Sequence, residues 1–452
     1  MQFIEIIPPN FGEFDYKIRW RDDRMEKFVI DGGRPLIGNV NTSGMKNAAL
    51  PIIYATILAA DKCRLENIPD ISDVATSFDI LKGMGAQITY VDKTTVDIDT
   101  TNVIGCSSDP NLVCKLRGSY YLLGAELGRY GKSRVGFPGG CDFGVRPIDY
   151  HIKGFEALGG EVSTDERYIN INAPLGVRGD NIYFDGISVG ATINVMMAAV
   201  LARGVTTIDN AAKEPHVVDV ANFLNTCGAR ITGAGTDMIK IRGVEKLHGS
   251  TYAIIPDMIE AGTFMIAAAA TGGKIKVENV IPKHLESIAA KLEEIGAEVE
   301  MLDDAVVVTG APEYKKTYVK TMPYPGFPTD LHPQIVPLLA VAKGTSSVKE
   351  TIWPNRFRYV HELNAMGANI TVNANVATVV GVDGLKPAEV KAVDLRAGFA
   401  VLIAALMTPG ETRVSGVQYI ERGYEELVPK LTRLGASIKK INVPDEVPAV
   451  TK

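Results

Sequence analysis

The sequence is poor in residues that staple, ligate or anchor. Its 452 residues include five cysteines (Cys63, Cys106, Cys114, Cys141 and Cys227), an odd number with no CxxC spacing. That pattern supports neither a disulfide framework nor a structural zinc site. The six histidines are just as scattered, and no HExxH occurs. No apolar run approaches the roughly 20 residues of a membrane-spanning helix; stretches such as Val195–Leu201 and Phe399–Leu406 are short. The N-terminal MQFIEIIPPNFGEFDYK has acids and two prolines where a secretory signal has a basic and then an apolar stretch. A basic excess is missing too: 47 Lys and Arg against 53 Asp and Glu give a formal charge of -6. This argues against a general nucleic-acid binder. The absences together read as a cytoplasmic, reduced, metal-free protein with no cofactor, no membrane and no nucleic-acid partner. Its chemistry must come from single residues gathered by the fold.

What is present is repetition. Six segments read LKGMGAQI, FEALGGEV, FLNTCGARI, LEEIGAEV, LNAMGANI and LTRLGASI. Their glycines (Gly85, Gly159, Gly228, Gly296, Gly367 and Gly435) stand 74, 69, 68, 71 and 68 residues apart. A period near 70 is longer than that of a simple solenoid. Each copy opens with a helical stretch that is apolar nearly all round, such as EAGTFMIAAAATGG or LRAGFAVLIAALMTPG. Such a helix belongs in a domain centre. A short strand follows, then an amphipathic helix such as HLESIAAKLEEIG, ended by a C-cap glycine. Alternating segments such as AEVEMLDDAVVVTG close the unit as a hairpin. The order is roughly α-β-α-β-β, an α/β repeat of the βαβαββ type.

The sixth copy stops after SIKKI without a complete hairpin, while KFVIDGGRPLIGNV near the N-terminus is strand-like and belongs to no unit. It can supply the missing strands. The chain then divides into an arm (residues 1–24), a discontinuous lobe (25–46 and 255–452) and an inserted lobe (47–254), with three repeats per lobe and a cleft between. One continuous array of six units is the plainer alternative.

Charged residues stand at the mouths of the buried helices: Lys46, Arg117, Asp330 and Arg396. Others enter the second helices: Cys141 and Arg146 in GCDFGVRPID, Arg356 in PNRFRY and Arg422 in ERGYEE. Helix N-termini carry partial positive charge and free N–H groups, which suit phosphate or carboxylate. Arginines there add bidentate recognition. An acidic chain that focuses cations in one cleft implies a small, strongly anionic substrate. Taken singly, each arginine reads as an ordinary surface or capping charge; the recurrence at matching points of the repeats favours a site. Phe137–Pro147, FPGGCDFGVRP, reads as a loop whose central cysteine is exposed and activated by a nearby arginine. GAGTDM is glycine-rich but falls at a hairpin turn and is no dinucleotide site.

The segments SGMKNAALPI, FPGGCDFGVRPIDYH, SVGATIN, NAAKEPHVVDVANFL, PGFPTDLHPQ, WPNRFR, VDLRAG and ERGYEEL resemble those of the UDP-N-acetylglucosamine 1-carboxyvinyltransferases, a family of enolpyruvyl transferases. The resemblance runs from about Met25 to the end. It implies two inside-out α/β lobes of three repeats each. It also implies transfer of enolpyruvate from phosphoenolpyruvate to the 3-hydroxyl of UDP-N-acetylglucosamine, with release of phosphate. By motif, Lys46, Arg117, Arg146 and Arg422 would hold phosphoenolpyruvate, with Arg356 and Arg396 completing the cationic cleft. Asn47 would sit by the reacting sugar, Asp330 would be the base for its hydroxyl, and Cys141 the acid for the methylene carbon. Arg146, Pro147, Ile148, Asp149 and His151, with Ser188, Val189 and Gly190, would contact the UDP portion, and Ile352 would be a further substrate-binding residue. Two features depart from the family pattern. Residues 1–24 precede the resemblance, and Met258 in PDMIEAG stands where many members have arginine.

Two alternatives remain on the sequence. The sister enzyme acting on shikimate 3-phosphate shares fold and donor, but its lysine segment resembles PGSKS, not SGMKN, and it lacks the cysteine loop. A non-catalytic nucleotide-sugar sensor would be expected to lose the lysine, cysteine or aspartate, and all three are present.

Overall fold

The computed structural model describes residues 24–137, 148–353 and 355–444. Six helices that are apolar on nearly every side are buried: α1 (Lys46–Ala59), α2 (Tyr121–Tyr130), α3 (Val189–Ala199), α4 (Met258–Ala270), α5 (His332–Ala340) and α6 (Leu395–Met407). Every residue of α4 is buried. A helix without a polar face has no side to offer water, so it becomes the centre and the sheets wrap outside. Helices α1, α2 and α3 pack on one another, and so do α4, α5 and α6. Each trio forms the heart of one lobe. Small residues allow close approach: a Cβ on Gly124 of α2 would lie 2.3 Å from the Asn194 carbonyl oxygen of α3.

Among the described residues six sheets cover the two trios, and five of them repeat one plan. The third repeat shows it. Asn181–Tyr183 precedes α3 and pairs parallel with Val205–Asp209, which follows it. Val205–Asp209 pairs antiparallel with Met238–Arg242, which pairs antiparallel with Arg230–Thr232. The glycine-rich Gly233–Asp237 is the turn of that hairpin. The second repeat departs from the plan and has three strands among the described residues. Before α2, Asp109 caps a helical turn at Pro110–Val113 by accepting from Asn111 N (2.8 Å). Proline has no N–H to give a ladder, so a strand is replaced there by a turn.

At the two chain crossings the leading strands are exchanged. Ile37–Asn41, before α1, pairs parallel with Lys274–Glu278 after α4. Thr251–Ala253, before α4, pairs parallel with Lys62–Glu66 after α1. The sixth repeat completes its sheet with the first described strand. Arg24–Gly32 lies between Gly410–Ser415 and Ser437–Pro444, antiparallel to both. Arg24 is the one residue of the sequence-defined arm that is described. Among the described residues no helix is long and apolar enough to cross a membrane.

Candidate active site

Several of the predicted site residues lie at the N-termini of the buried helices. Lys46 and Asn47 open α1. Arg117 begins the helical turn Arg117–Tyr120 that leads into α2. Ser188 caps α3 and accepts from Ala191 N (3.3 Å), with Val189 and Gly190 in the first turn. Asp330 sits in the turn Thr329–Leu331 before α5. Arg396 is the second residue of α6, which Asp394 caps. Cys141, Arg146 and Pro147 lie outside the described residues. Ile148 and Asp149 begin the helix that carries His151. Met258 is buried at the first position of α4, beside its capping Asp257.

Two ion clusters dominate the geometry. In the first, the buried Asp73 carboxylate receives Lys46 Nζ (2.6 Å) and Arg422 Nε (2.9 Å). Burial opposes ionisation of Asp73, but Lys46 and Arg422 outweigh it and hold its pKa below the ordinary value. In the second, Asp330 takes Arg356 on one oxygen and Arg396 (3.0 Å) on the other. Here too burial works against the charge, and the two guanidiniums win, keeping the carboxyl well below the usual range. Asp257 links the clusters: it accepts from Lys46 N (3.3 Å), and Arg396 favours its charge against a burial that raises its pKa.

A third group lies against the helix that carries His151. The His151 ring is edge-on to Tyr120, with centroids 5.1 Å apart, and Arg117 lies over Tyr120 at 5.6 Å. Burial, then the neighbouring Arg117, pushes the His151 pKa down to about 3, so its imidazole is neutral. Neither of its ring nitrogens has a hydrogen-bond partner among the described residues. A Cβ on Gly190 would meet the Tyr120 hydroxyl at 2.4 Å and His151 Nε2 at 2.9 Å. Glycine at 190 therefore keeps the entrance of α3 open beside an unused donor and acceptor. Ile352 stands in the turn before Arg356, its N–H held by Glu350 (2.7 Å).

Several residues of the site were missed by sequence reasoning. Asp73 reads as a first-turn helix acid. Glu260 and Lys430 form a buried pair (2.6 Å) that also holds Ser43, through Lys430 Nζ (2.7 Å) and Ser43 N (2.8 Å). This pair fixes the loop that presents Lys46. His216, in KEPH, is buried; burial brings its pKa down to about 4, while the nearby Asp330 pulls the other way. The lobes touch through Asp73 with Arg422, Lys93 with Glu425 (3.0 Å) and Glu214 with Tyr324 N (3.3 Å).

Residues 30–431 match the family model described as EPSP synthase (3-phosphoshikimate 1-carboxyvinyltransferase). A UDP-N-acetylglucosamine 1-carboxyvinyltransferase of Clostridium botulinum is 52% identical over 418 residues, covering 92% of this chain and 100% of the relative. The chain belongs to the enolpyruvyl transferase family. Within it, a UDP-N-acetylglucosamine 1-carboxyvinyltransferase 2 of Clostridium acetobutylicum is 51% identical over 92% of this chain and 99% of its own length. Among solved enolpyruvyl transferases, NikO from Streptomyces tendae superposes with a TM-score of 0.84 at 27% identity, over 93% of this chain and all of its own. An EPSP synthase from Acinetobacter baumannii, at 17% identity and a TM-score of 0.69 over 92% of this chain and 100% of that one, shares the fold. The inside-out, two-lobed architecture is thus that of the enolpyruvyl transferases.

Proposed function

We infer that this chain transfers enolpyruvate from phosphoenolpyruvate to the 3-hydroxyl of UDP-N-acetylglucosamine, in the cytoplasm, as the first committed step of peptidoglycan precursor synthesis. The 52% identity along 92% of the chain carries this reading. Against the shikimate 3-phosphate alternative stands the 17% identity to an EPSP synthase, and the SGMKN segment agrees.

The chemistry is addition followed by elimination. The sugar oxygen bonds to C2 of phosphoenolpyruvate as its proton leaves to Asp330 and a proton from Cys141 joins the C3 methylene. This makes a tetrahedral centre that bears the phosphate. Loss of phosphate from C2, which takes the proton held by Asp330, and return of a C3 proton to the Cys141 thiolate restore the double bond and both side chains. Lys46, Arg117, Arg146 and Arg422 hold the phosphate and carboxylate, and preorganised cations of this kind stabilise the charge that develops. Asn47 orients the reacting sugar. Ile352, Arg356 and Arg396 hold the sugar side, and Arg146–His151 with Ser188–Gly190 hold the UDP portion. Asp73, which engages Lys46 and Arg422, stands where the substrate's anion would compete for them. The lobe boundaries of this reading are 25–46 with 255–452 and 47–254.

The test uses an anionic epoxide that mimics phosphoenolpyruvate, such as the phosphonate fosfomycin. It should alkylate Cys141 and spare the exposed Cys114, faster when nucleotide sugar is present. Peptide mapping after limited labelling gives the site. Cys141→Asp should keep turnover and lose alkylation. Labelling mainly elsewhere, or full turnover in Cys141→Ala, overturns the acid assignment.

A further inference from the structure

The six repeats give an internal control for one position. The residue just after the strand that follows the buried helix is Asn67 in the first repeat, Asn210 in the third and Asn279 in the fourth; all three have positive φ (54°, 57° and 55°). Each turns its side-chain amide onto a neighbouring carbonyl: Ile254 O (2.8 Å), Phe184 O (2.9 Å) and Thr42 O (2.8 Å) respectively. In the sixth repeat the place is held by Gly416, φ 74°. This is one structural solution, a left-handed residue that ties the strand end to the next sheet strand or loop. In the second repeat the place is held by the exposed Phe137, and the fifth repeat breaks the pattern in a different way. The residue after Thr345–Lys349 is Glu350, which is 1% exposed and is not among the positive-φ residues.

Glu350 places its carboxylate among five donors. One oxygen accepts from Thr321 Oγ1 (2.8 Å), Ile352 N (2.7 Å) and Trp353 N (3.0 Å). The other accepts from Thr329 Oγ1 (2.9 Å) and His332 Nδ1 (2.8 Å). The far nitrogen of His332, Nε2, meets the Tyr359 hydroxyl at 2.7 Å. His332 and Tyr359 are both 0% exposed. Burial favours a neutral imidazole and a protonated phenol. The proton order follows: Tyr359 O–H donates to Nε2, and Nδ1–H donates to Glu350.

A buried carboxylate is costly, and none of the other five repeats ends the same strand with one. What the network grips explains the exception. Thr329 and His332 flank Asp330. Trp353 and Tyr359 stand three residues to either side of Arg356. Asp330 and Arg356 form the ion pair of the second cluster. We propose that Glu350, acting through His332 and Tyr359, is a positioning residue that holds Asp330 and Arg356 in register for the proton transfer. This rests on the reading of Asp330 as the base.

The experiment compares Glu350→Gln with wild type in the full chain by phosphate release with both substrates, counting active protein by nucleotide-sugar binding stoichiometry. Misplacing a catalytic group by about 1 Å costs up to about 100-fold. The expected result is a kcat lower by about 10- to 100-fold with both KM values changed by less than about threefold. Asn210→Ala, which removes the matching clamp of another repeat, should lower the melting midpoint while leaving kcat per active site unchanged. The decisive readout is coupling. In an Asp330→Asn background, adding Glu350→Gln should cost less than about threefold, because residues acting as a unit are not additive. Multiplying losses, or an unchanged kcat in Glu350→Gln, would overturn the proposal. Should Glu350→Gln fail to fold, Tyr359→Phe serves instead and should lower kcat several-fold at unchanged KM; an unchanged kcat there counts against it equally. Absence of turnover in wild type would instead sink the activity reading itself.

Discussion

Replacing Asp330 by Asn tests the base in isolation, because the side chain keeps its size and position. The carboxylate bridges Arg356 and Arg396 at the mouth of α5. The amide can still accept from one guanidinium, but it turns an N–H₂ toward the other and cannot take a proton. Removing a positioned general base costs about 10²–10⁴ in rate, or about 3–5 kcal/mol of transition-state stabilisation. Nucleotide-sugar affinity should move by less than about fivefold, since Arg356 and Arg396 remain available to hydrogen-bond the sugar side. Phosphate release at saturating substrates reads the first quantity and titration calorimetry the second. The two guanidiniums keep Asp330 ionised, so the acid limb of the wild-type pH profile belongs to another group. Its folded pKa is depressed, so the stability its ion pairs contribute is present above about pH 4 and lost as pH falls further. The difference in melting midpoint between wild type and variant should therefore be flat from pH 5 to 8 and shrink below pH 4. A kcat within threefold of wild type would remove Asp330 from the mechanism.

Lys430→Met strands Glu260 as a buried, unpaired charge, and breaking such a pair typically costs about 3–5 kcal/mol; an unmoved urea midpoint would refute the role given to the pair. Asp219 is buried and accepts from the Tyr252 hydroxyl (2.5 Å) at one lobe crossing, and burial, against that bond, raises its pKa to about 6. A raised carboxyl favours folding below its unfolded pKa near 4 and loses that advantage as pH rises through 6, about 3 kcal/mol in all. Asp219→Asn should therefore gain stability relative to wild type between pH 4 and 7, and a pH-independent difference would show that Asp219 ionises freely. Nucleotide sugar should reduce the radius of gyration measured by X-ray scattering, because two crossings leave the lobes free to close on a ligand that both contact; an unchanged radius would mean a rigid cleft.

The repeat plan was legible because its signals are local. A helix apolar on all sides and a glycine at its end are short-range patterns, and the six buried helices follow from them. The mouth residues Lys46, Arg117, Asp330 and Arg396 were legible for the same reason. Their counter-charges were not. Asp73 meets Arg422 across 349 positions and Glu260 meets Lys430 across 170, and nothing near either acid distinguishes it from a helix-capping residue. The helical turn that replaces a strand in the second repeat was different. Asp109-Pro110 announces it locally, but the regularity of the other repeats masks the signal. Glu350 was visible only against its counterparts in the other repeats, once the strand ends were aligned.

The placement of Arg24–Gly32 has a consequence for biosynthesis. Every described strand packed around α1, α2 and α3 has been made once Thr251–Ala253 has left the ribosome. The lobe built on α4, α5 and α6 must wait, because Arg24–Gly32 finds its partners in Gly410–Ser415 and Ser437–Pro444. During translation that strand has two unsatisfied edges, the kind of surface that invites wrong pairing. That sheet therefore closes late, and a message cut short before Ser437 would release a chain whose Arg24–Gly32 lacks one of its two partners, an open edge that a chaperone or protease would recognise.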